Sequence, residues 1–235
     1  RPAGAEEIRR AGAAFLAMRA RIERQIESRT RMLSSVSHDL RTPLTRMKLS
    51  LAMLDDEAEA EELGRDIREM ERMIEEFLAF ASGEAAEEIA PADPAALMEE
   101  IAGEARRRGA RIGTREEGLS RVEIPIRRHA VKRALSNLVE NAISYGDRVE
   151  VALWVGRGAI EFAVEDDGPG IPEEARETAL KPFARLDDAR NQDRGGGVGL
   201  GLAIAAEVAR SHGGRLTLED GARLGGLRAR LRLPR

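Results

Sequence analysis

An α+β fold is predicted: a long helical hairpin that forms a dimeric four-helix bundle, then an α/β sandwich. Three observations predict it. Apolar residues recur at helical spacing through the first third of the chain, Gly and Pro break the pattern shortly after residue 81, and the remainder mixes helical with strand-like periodicity.

The first helix is read from Ile8 to Leu54. Its apolar residues Phe15, Met18, Ile22, Ile26, Leu33, Val36, Leu40, Leu44, Met47, Leu51 and Leu54 form a heptad-like seam. After Asp55-Asp56 the seam restarts at Leu63, Ile67, Met70, Ile74, Phe77 and Ala81, which reads as the second arm of a hairpin. Two helices with one apolar stripe each enclose no core, whereas two such hairpins close a four-helix bundle. A homodimer is therefore expected. "SGEAAEEIAPADP", residues 82–94, has the composition of a linker. Beyond it, helical patterns at 94–108, 127–145 and 198–212 are interleaved with the alternating segments "VEVALWV", "IEFAVE", "RLTLE" and "LRARLRL". The strands arrive as adjacent hairpin-like pairs, which argues against a doubly wound parallel sheet and for helices covering one face.

Composition narrows the function. The 235 residues carry 38 Lys+Arg against 42 Asp+Glu with the signs interspersed, so no nucleic-acid footprint is expected. Absence of cysteine removes disulfide and thiolate chemistry. No apolar run reaches the roughly 18 residues that span a bilayer, so any membrane portion is expected to lie outside this chain.

Within the first helix, "SSVSHDLRTPLTR" sets His38 two residues from both Val36 and Leu40. At about 100° per residue His38 falls roughly 160° from each seam position, facing solvent. Such a histidine is on its own most often a solvated surface residue. Its neighbours favour chemistry: Asp39 can accept the Nδ1 proton, leaving Nε2 as a free nucleophile, and Thr42 follows one turn later. Pro43 removes a helical N–H and should bend the helix just beyond His38. An imidazole with an ordinary pKa of about 6.5 is mostly neutral at pH 7 and can attack phosphorus directly.

"SHDLRTPLTR" resembles the phosphoacceptor box of sensor histidine kinases, and is particularly similar to that of the osmosensing EnvZ group. The resemblance implies that His38 is phosphorylated, that Asp39 is the adjacent general base and that Thr42 supports dephosphorylation of a response regulator. "GAEEIRRAGAAFLAMRARI" is similar to the last helix of a HAMP signalling module, though an Ala/Arg-rich coiled-coil helix reads the same way.

Four short segments of the second domain bear on a phosphate donor. In "NLVENAISYG", Asn137 and Asn141 share a helix face at the edge of the apolar stripe Val131, Leu135, Leu138 and Ala142; an amide oxygen there can ligate Mg²⁺, or the pair can be ordinary polar residues. In "VEDDGPGI" a strand ends in acids and enters Gly168-Pro169-Gly170, where missing side chains allow close backbone approach, and Asp166 can accept from an exocyclic amine. A tight turn is the alternative. "KPFARLDD" sets Phe183 and Arg185 in a weakly periodic stretch from about 177 to 197, as in a mobile lid. "GGGVGLGLAI" runs Gly197, Gly199 and Gly201 into a helix start suited to phosphate; it matches neither a dinucleotide fingerprint nor a Walker A loop.

In this order the segments resemble the N, G1, F and G2 boxes of the histidine-kinase ATP-binding domain, of the GHKL (Bergerat-type) fold. The resemblance implies that Asn137 and Asn141 serve Mg²⁺ and phosphates and that Asp166, followed by Gly168 and Gly170, reads the adenine amine. It also implies that Tyr145 packs near adenine, that Phe183 and Arg185 belong to the lid, and that Gly197, Gly199 and Gly201 bind phosphate. Ser144 stands where the family usually has Lys or Arg; Arg148, Lys181 and Arg194 are the candidate substitutes. His129 and His212 are assigned to structure, with Gly213 or Gly214 as a left-handed helix cap.

The expected organisation is the end of a HAMP-like helix (1–27), a dimerisation and phosphotransfer hairpin (28–83), a linker (84–92) and a catalytic ATP-binding domain (93–235). The expected activity is ATP-dependent autophosphorylation of His38, followed by transfer to the receiver domain of a response regulator and its dephosphorylation. The resemblance places the chain as the cytoplasmic portion of a bacterial inner-membrane protein.

Overall fold

The structure is a computed structural model that describes residues 4–51, 60, 63–68, 70, 71, 73, 74, 87–119, 122–184 and 199–235, without the side chains of 4–7, 22–39 and 41. It divides into two compact units, Arg1–Gly83 and Glu84–Arg235.

In the first unit, helix α1 (Gly4–Leu51) is 48 residues long. It starts earlier than periodicity placed it, because Gly4 to Glu7 carry no apolar stripe to mark them. The backbone is helical across the expected 27/28 boundary and on through Pro43. One proline costs a helix about 3 kcal/mol, yet the helical backbone continues on both sides of Pro43. Residues 63–68 are also helical. Leu44 and Ile67 are buried, and Lys48 Nζ donates to Glu71 Oε2 at 2.6 Å. Phe15 (60% exposed), Met18, Leu40, Met47, Leu63 and Met70 stay open to solvent on a single chain. No helix among the described residues is long and apolar enough to cross a membrane.

The second unit runs β1 (Ala90–Ala92), α2 (Pro94–Arg107), β2 (Arg111–Gly118), β3 (Ile124–Ile126), α3 (Arg128–Tyr145), β4 (Arg148–Val155), β5 (Ala159–Asp166), α4 (Glu173–Ala179), α5 (Gly201–Ser211), β6 (Arg215–Asp220) and β7 (Leu227–Pro234). Five strands form one sheet in the order β2-β4-β5-β7-β6. β4 to β7 pair antiparallel as the sequence suggested, whereas β2 adds a parallel edge strand, with Ile112 opposite Val149. Val149, Val151, Leu153 and Val155 bury one face of β4, and Leu227, Ala229, Leu231 and Leu233 bury that of β7. Helices α2, α3 and α5 pack on this sheet. The opposite face is charged: Arg230 bridges Glu161 on β5 and Glu219 on β6.

Two expectations change here. Residues 87–92, read as linker, are built into the second unit. β1 pairs antiparallel with β3, and the Glu87 carboxylate accepts from the His129 and Ala130 N–H groups (2.8 and 3.0 Å) at the start of α3. Short polar segments look like linkers in composition, but three residues suffice for a ladder. The lid, read from about 177, begins later, because 177–179 close α4.

Candidate functional site

Helix α3 is the spine of the site. Val131, Leu135, Leu138 and Ala142 are buried against the sheet, which turns Asn137 and Asn141 to the half-buried rim. The Asn137 Nδ2 is buried without a hydrogen-bond partner among the described residues. Leaving such a donor unmade costs about 1–3 kcal/mol, so the amide fits a ligand: its nitrogen a phosphate oxygen, or its oxygen, with the amide turned over, a cation. Gly201, the first residue of α5, lies beside it; a Cβ there would sit 3.6 Å from Asn137 Cβ.

At its other end α3 meets the turn after β5. Gly168 has no room for a side chain, since a Cβ would stand 2.6 Å from the Tyr145 carbonyl oxygen and 2.9 Å from Asp166 Oδ1. Asp166 is 1% exposed, and its Oδ1 accepts from the Gly168 N–H (2.9 Å) and the Leu227 N–H (3.1 Å). Oδ2 has no partner among the described residues. Burial pushes this carboxyl above its usual range, the Gly168 and Leu227 N–H groups pull against that, and the Asp167 and Glu165 carboxylates add to it. Asp167 behaves oppositely. Its Oδ1 accepts from the Asp147 and Arg148 N–H groups and its Oδ2 from Arg148 Nε, and the Arg148 bonds above all hold it down at about 2. Tyr145 is 41% exposed next to this turn.

Residues near the two ends of the stretch read as a lid come together. The Phe183 N–H donates to the Gly199 carbonyl at 3.0 Å; Phe183 adopts φ 63° and Gly199 φ 78°. A Cβ at Gly199 would meet the Ala184 oxygen at 2.7 Å, so the closure requires glycine. Phe183 is half-exposed. Gly170 has φ 73°, and a Cβ there would lie 3.6 Å from the Gly226 carbonyl.

The fold therefore gathers Asn137, Asn141, Tyr145, Asp166, Gly168 and Gly201 along α3, with Gly199 two residues before Gly201. Arg185 and Gly197, and the side chains of His38 and Asp39, lie outside the described residues, as does Arg194. Thr42 is exposed on α1 in the other unit. Of the candidate substitutes for a cation at Ser144, Arg148 is committed to Asp167, and Lys181 is exposed. Ser144 Oγ donates back to the Glu140 carbonyl.

Sequence reasoning missed Glu165, Glu87 and the role of His212. The His212 Nδ1 faces the Val208 carbonyl (2.8 Å) and its Nε2 accepts from the Arg127 N–H (3.1 Å), which fixes the Nδ1-protonated tautomer and ties the end of α5 to the start of α3. Gly213, with φ 71°, is the left-handed cap. No group of three or more His, Cys, Asp or Glu suited to a metal occurs among the described residues, so a metal here would lean on amides and phosphates.

A sheet with helices on one face, a buried carboxylate at a strand end and an amide-bearing helix opposite a glycine-rich helix start define a nucleotide-binding ATPase domain. The family model described as histidine kinase-, DNA gyrase B-, and HSP90-like ATPase matches residues 127–235, and that of the His Kinase A (phospho-acceptor) domain matches 28–86. The chain is 38% identical to the sensor histidine kinase GtrS of Pseudomonas aeruginosa over 99% of its own length and 47% of that protein. It is 35% identical to the sensor histidine kinase CpxA of Escherichia coli over 99% of its length and 52% of that protein. The crystal structure of the ATP binding domain of PrrB from Mycobacterium tuberculosis superposes on 63% of this chain and 97% of its own, at 28% identity and a TM-score of 0.51. The chain spans about half the length of the curated relatives it matches. It belongs to the sensor histidine kinases of two-component systems.

Proposed function

We propose that the chain is the ATP-dependent autokinase and phosphotransfer portion of its parent protein. The observation that carries this is the Asp166 carboxylate, buried at a strand end with Oδ1 tied to main-chain N–H groups and Oδ2 without a partner among the described residues. An acceptor in that state suits the exocyclic amine of adenine. Tyr145, whose carbonyl lies against Gly168, offers an exposed ring to the base, and Gly199 and Gly201 let the α5 N–H groups approach phosphate oxygens.

Asn137 and Asn141 have the chemistry to hold Mg²⁺ with the nucleotide. When bound, the ion supplies charge neutralisation between the phosphates. The chain's own residues hold the γ-phosphoryl in line for transfer: amide groups on α3, the glycine backbone at α5, and Arg185 from the lid. In the first unit, Asp39 orients the His38 ring by accepting from Nδ1. The Nε2 lone pair attacks the γ-phosphorus, a P–N bond forms, the bond to the bridging oxygen breaks, ADP leaves, and the Nδ1 proton passes to Asp39.

The phosphoryl group then moves to an aspartate on a response-regulator receiver domain, and Thr42 supports its later hydrolysis from that aspartate. The exposed apolar residues Phe15, Met18, Leu40 and Met47 favour a homodimer, since a stripe of that kind needs a partner. The parent protein is proposed to reach a bacterial inner membrane through segments outside this chain, with the residues here on the cytoplasmic side. Incubation with γ-labelled ATP and Mg²⁺ tests the reading. Acid-labile, base-stable label is expected on the wild type and none on His38→Gln; label retained by His38→Gln overturns the assignment.

A further inference from the structure

The Asp166 neighbour on β5, Glu165, is 4% exposed and has no part in the ATP chemistry proposed above. A buried carboxylate is costly unless its oxygens are bonded. No Lys or Arg forms an ion pair with it among the described residues: the Arg223 guanidinium goes to Glu150 instead. Glu165 spends its Oε1 on main chain, accepting from the Arg223 and Leu224 N–H groups at 2.5 and 2.6 Å.

Those two residues belong to the turn between β6 and β7. The Gly221 N–H donates to the Gly226 carbonyl (2.7 Å), closing the turn, and the Gly226 N–H donates to the Asp166 carbonyl (3.0 Å). The next residue, Leu227, gives its N–H to Asp166 Oδ1. The fit is tight at both glycines. A Cβ on Gly221 would stand 2.9 Å from Glu165 Oε1, and one on Gly226 2.4 Å from Asp166 Oδ1. The turn is thus held against the end of β5 by consecutive acids, one gripping its tip and the other receiving its exit.

We propose that Glu165 is a positioning residue for nucleotide recognition: by clamping the 221–226 turn it holds the Leu227 N–H on Asp166 Oδ1, which fixes the carboxylate plane and aims Oδ2 at the base. This rests on the reading of Asp166 as the adenine acceptor. The clamp needs an acceptor atom at the Glu165 position, not a negative charge. Glu165→Gln keeps an oxygen for the two N–H groups, and Glu165→Ala removes it.

The test is calorimetric titration of the whole chain with Mg·ATP and with Mg·ITP, whose ring carbonyl replaces the 6-amino group. The wild type should prefer ATP. Asp166→Asn reports on the underlying reading, and an unchanged ATP:ITP ratio in that variant removes adenine reading and the clamp together. If that ratio falls, Glu165→Ala should lower it about tenfold, the worth of one charge-assisted hydrogen bond, with ITP affinity within about twofold of wild type. Glu165→Gln should keep the wild-type ratio. Equal losses for both nucleotides in Glu165→Ala mark a structural role only and overturn the proposal. So does an unchanged ratio, or a Glu165→Gln variant as impaired as Glu165→Ala. Should Glu165→Ala fail to fold, Glu165→Asp, one methylene short of the turn, is expected to show the same selective loss and is judged by the same outcomes.

Discussion

Glu87→Ala should destabilise the second unit by about 1–3 kcal/mol. Arg127, the N-cap of α3, makes no side-chain cap hydrogen bond, and the first turn contains no acid. The N–H groups of His129 and Ala130 are satisfied instead by the Glu87 carboxylate, 42 and 43 residues away in sequence. Removing a cap of this kind costs about 0.5–2 kcal/mol, and removing an anion from the positive end of a helix dipole about 0.3–1 kcal/mol more. Glu87→Gln keeps the acceptor and forfeits only the dipole contribution, so the two variants separate geometry from charge. Trp154 on β4 is the chain's one tryptophan, so its fluorescence in a urea titration follows this unit without interference from the helical one. The midpoint should fall in the order wild type, Glu87→Gln, Glu87→Ala with an unchanged slope. The wild-type advantage over Glu87→Gln should shrink in high salt. A Glu87→Ala midpoint equal to wild type would refute the idea that the segment before β1 caps α3.

Two further outcomes follow from the site. Asp167, held at about 2 by Arg148 above all, contributes stability that is fully present above the ordinary carboxylate range and is lost as pH falls toward 2. The stability gap between wild type and Asp167→Asn should therefore be largest above pH 4 and close progressively below it, as denaturation at a series of pH values would show. Ser144→Lys places a cation where the family usually carries one and where Arg148 is already committed to Asp167. Calorimetry should find Mg·ATP bound about threefold more tightly or better, and unaltered affinity would mean that another cation already serves those phosphates.

The elements legible in the sequence were those whose period was long enough to repeat. β4 and β7 alternate over eight residues, and α3 carries seven buried positions at helical spacing, so each announced its type and its inward face. β2, "RIGTREEG", buries Ile112 alone and is bounded by charge because it lies at the sheet edge, so nothing in its composition marks it. α4, "EEARETA", is too short for a stripe. The Asp166–Gly168 turn was legible because a turn of that shape admits few residue types, and the rim position of Asn137 because the apolar stripe of α3 fixes which face is turned away from the sheet. Glu165 and Glu87 were not, since a carboxylate that grips main chain from a distant segment looks in sequence like any surface acid.

These distant grips converge on one helix. The start of α3 is held by Glu87 and, through the Arg127 N–H, by His212 from the end of α5. Just past its end, the Asp147 and Arg148 N–H groups are gathered by Asp167, while Tyr145 packs its carbonyl where Gly168 leaves room. A helix fixed at both termini and along its apolar stripe has little freedom to slide or rotate. Asn137 and Asn141 project from the middle of it, so their amides are placed before any ligand arrives. Phosphoryl transfer gains most from such prior placement, because its barrier is lowered chiefly by alignment and by charge held ready. Just ahead of α5, the Phe183 N–H donates to the Gly199 carbonyl, which brings residues 183 and 199 together. Rigidity is thus concentrated on the side of the site that carries Asp166 and the proposed metal ligands Asn137 and Asn141.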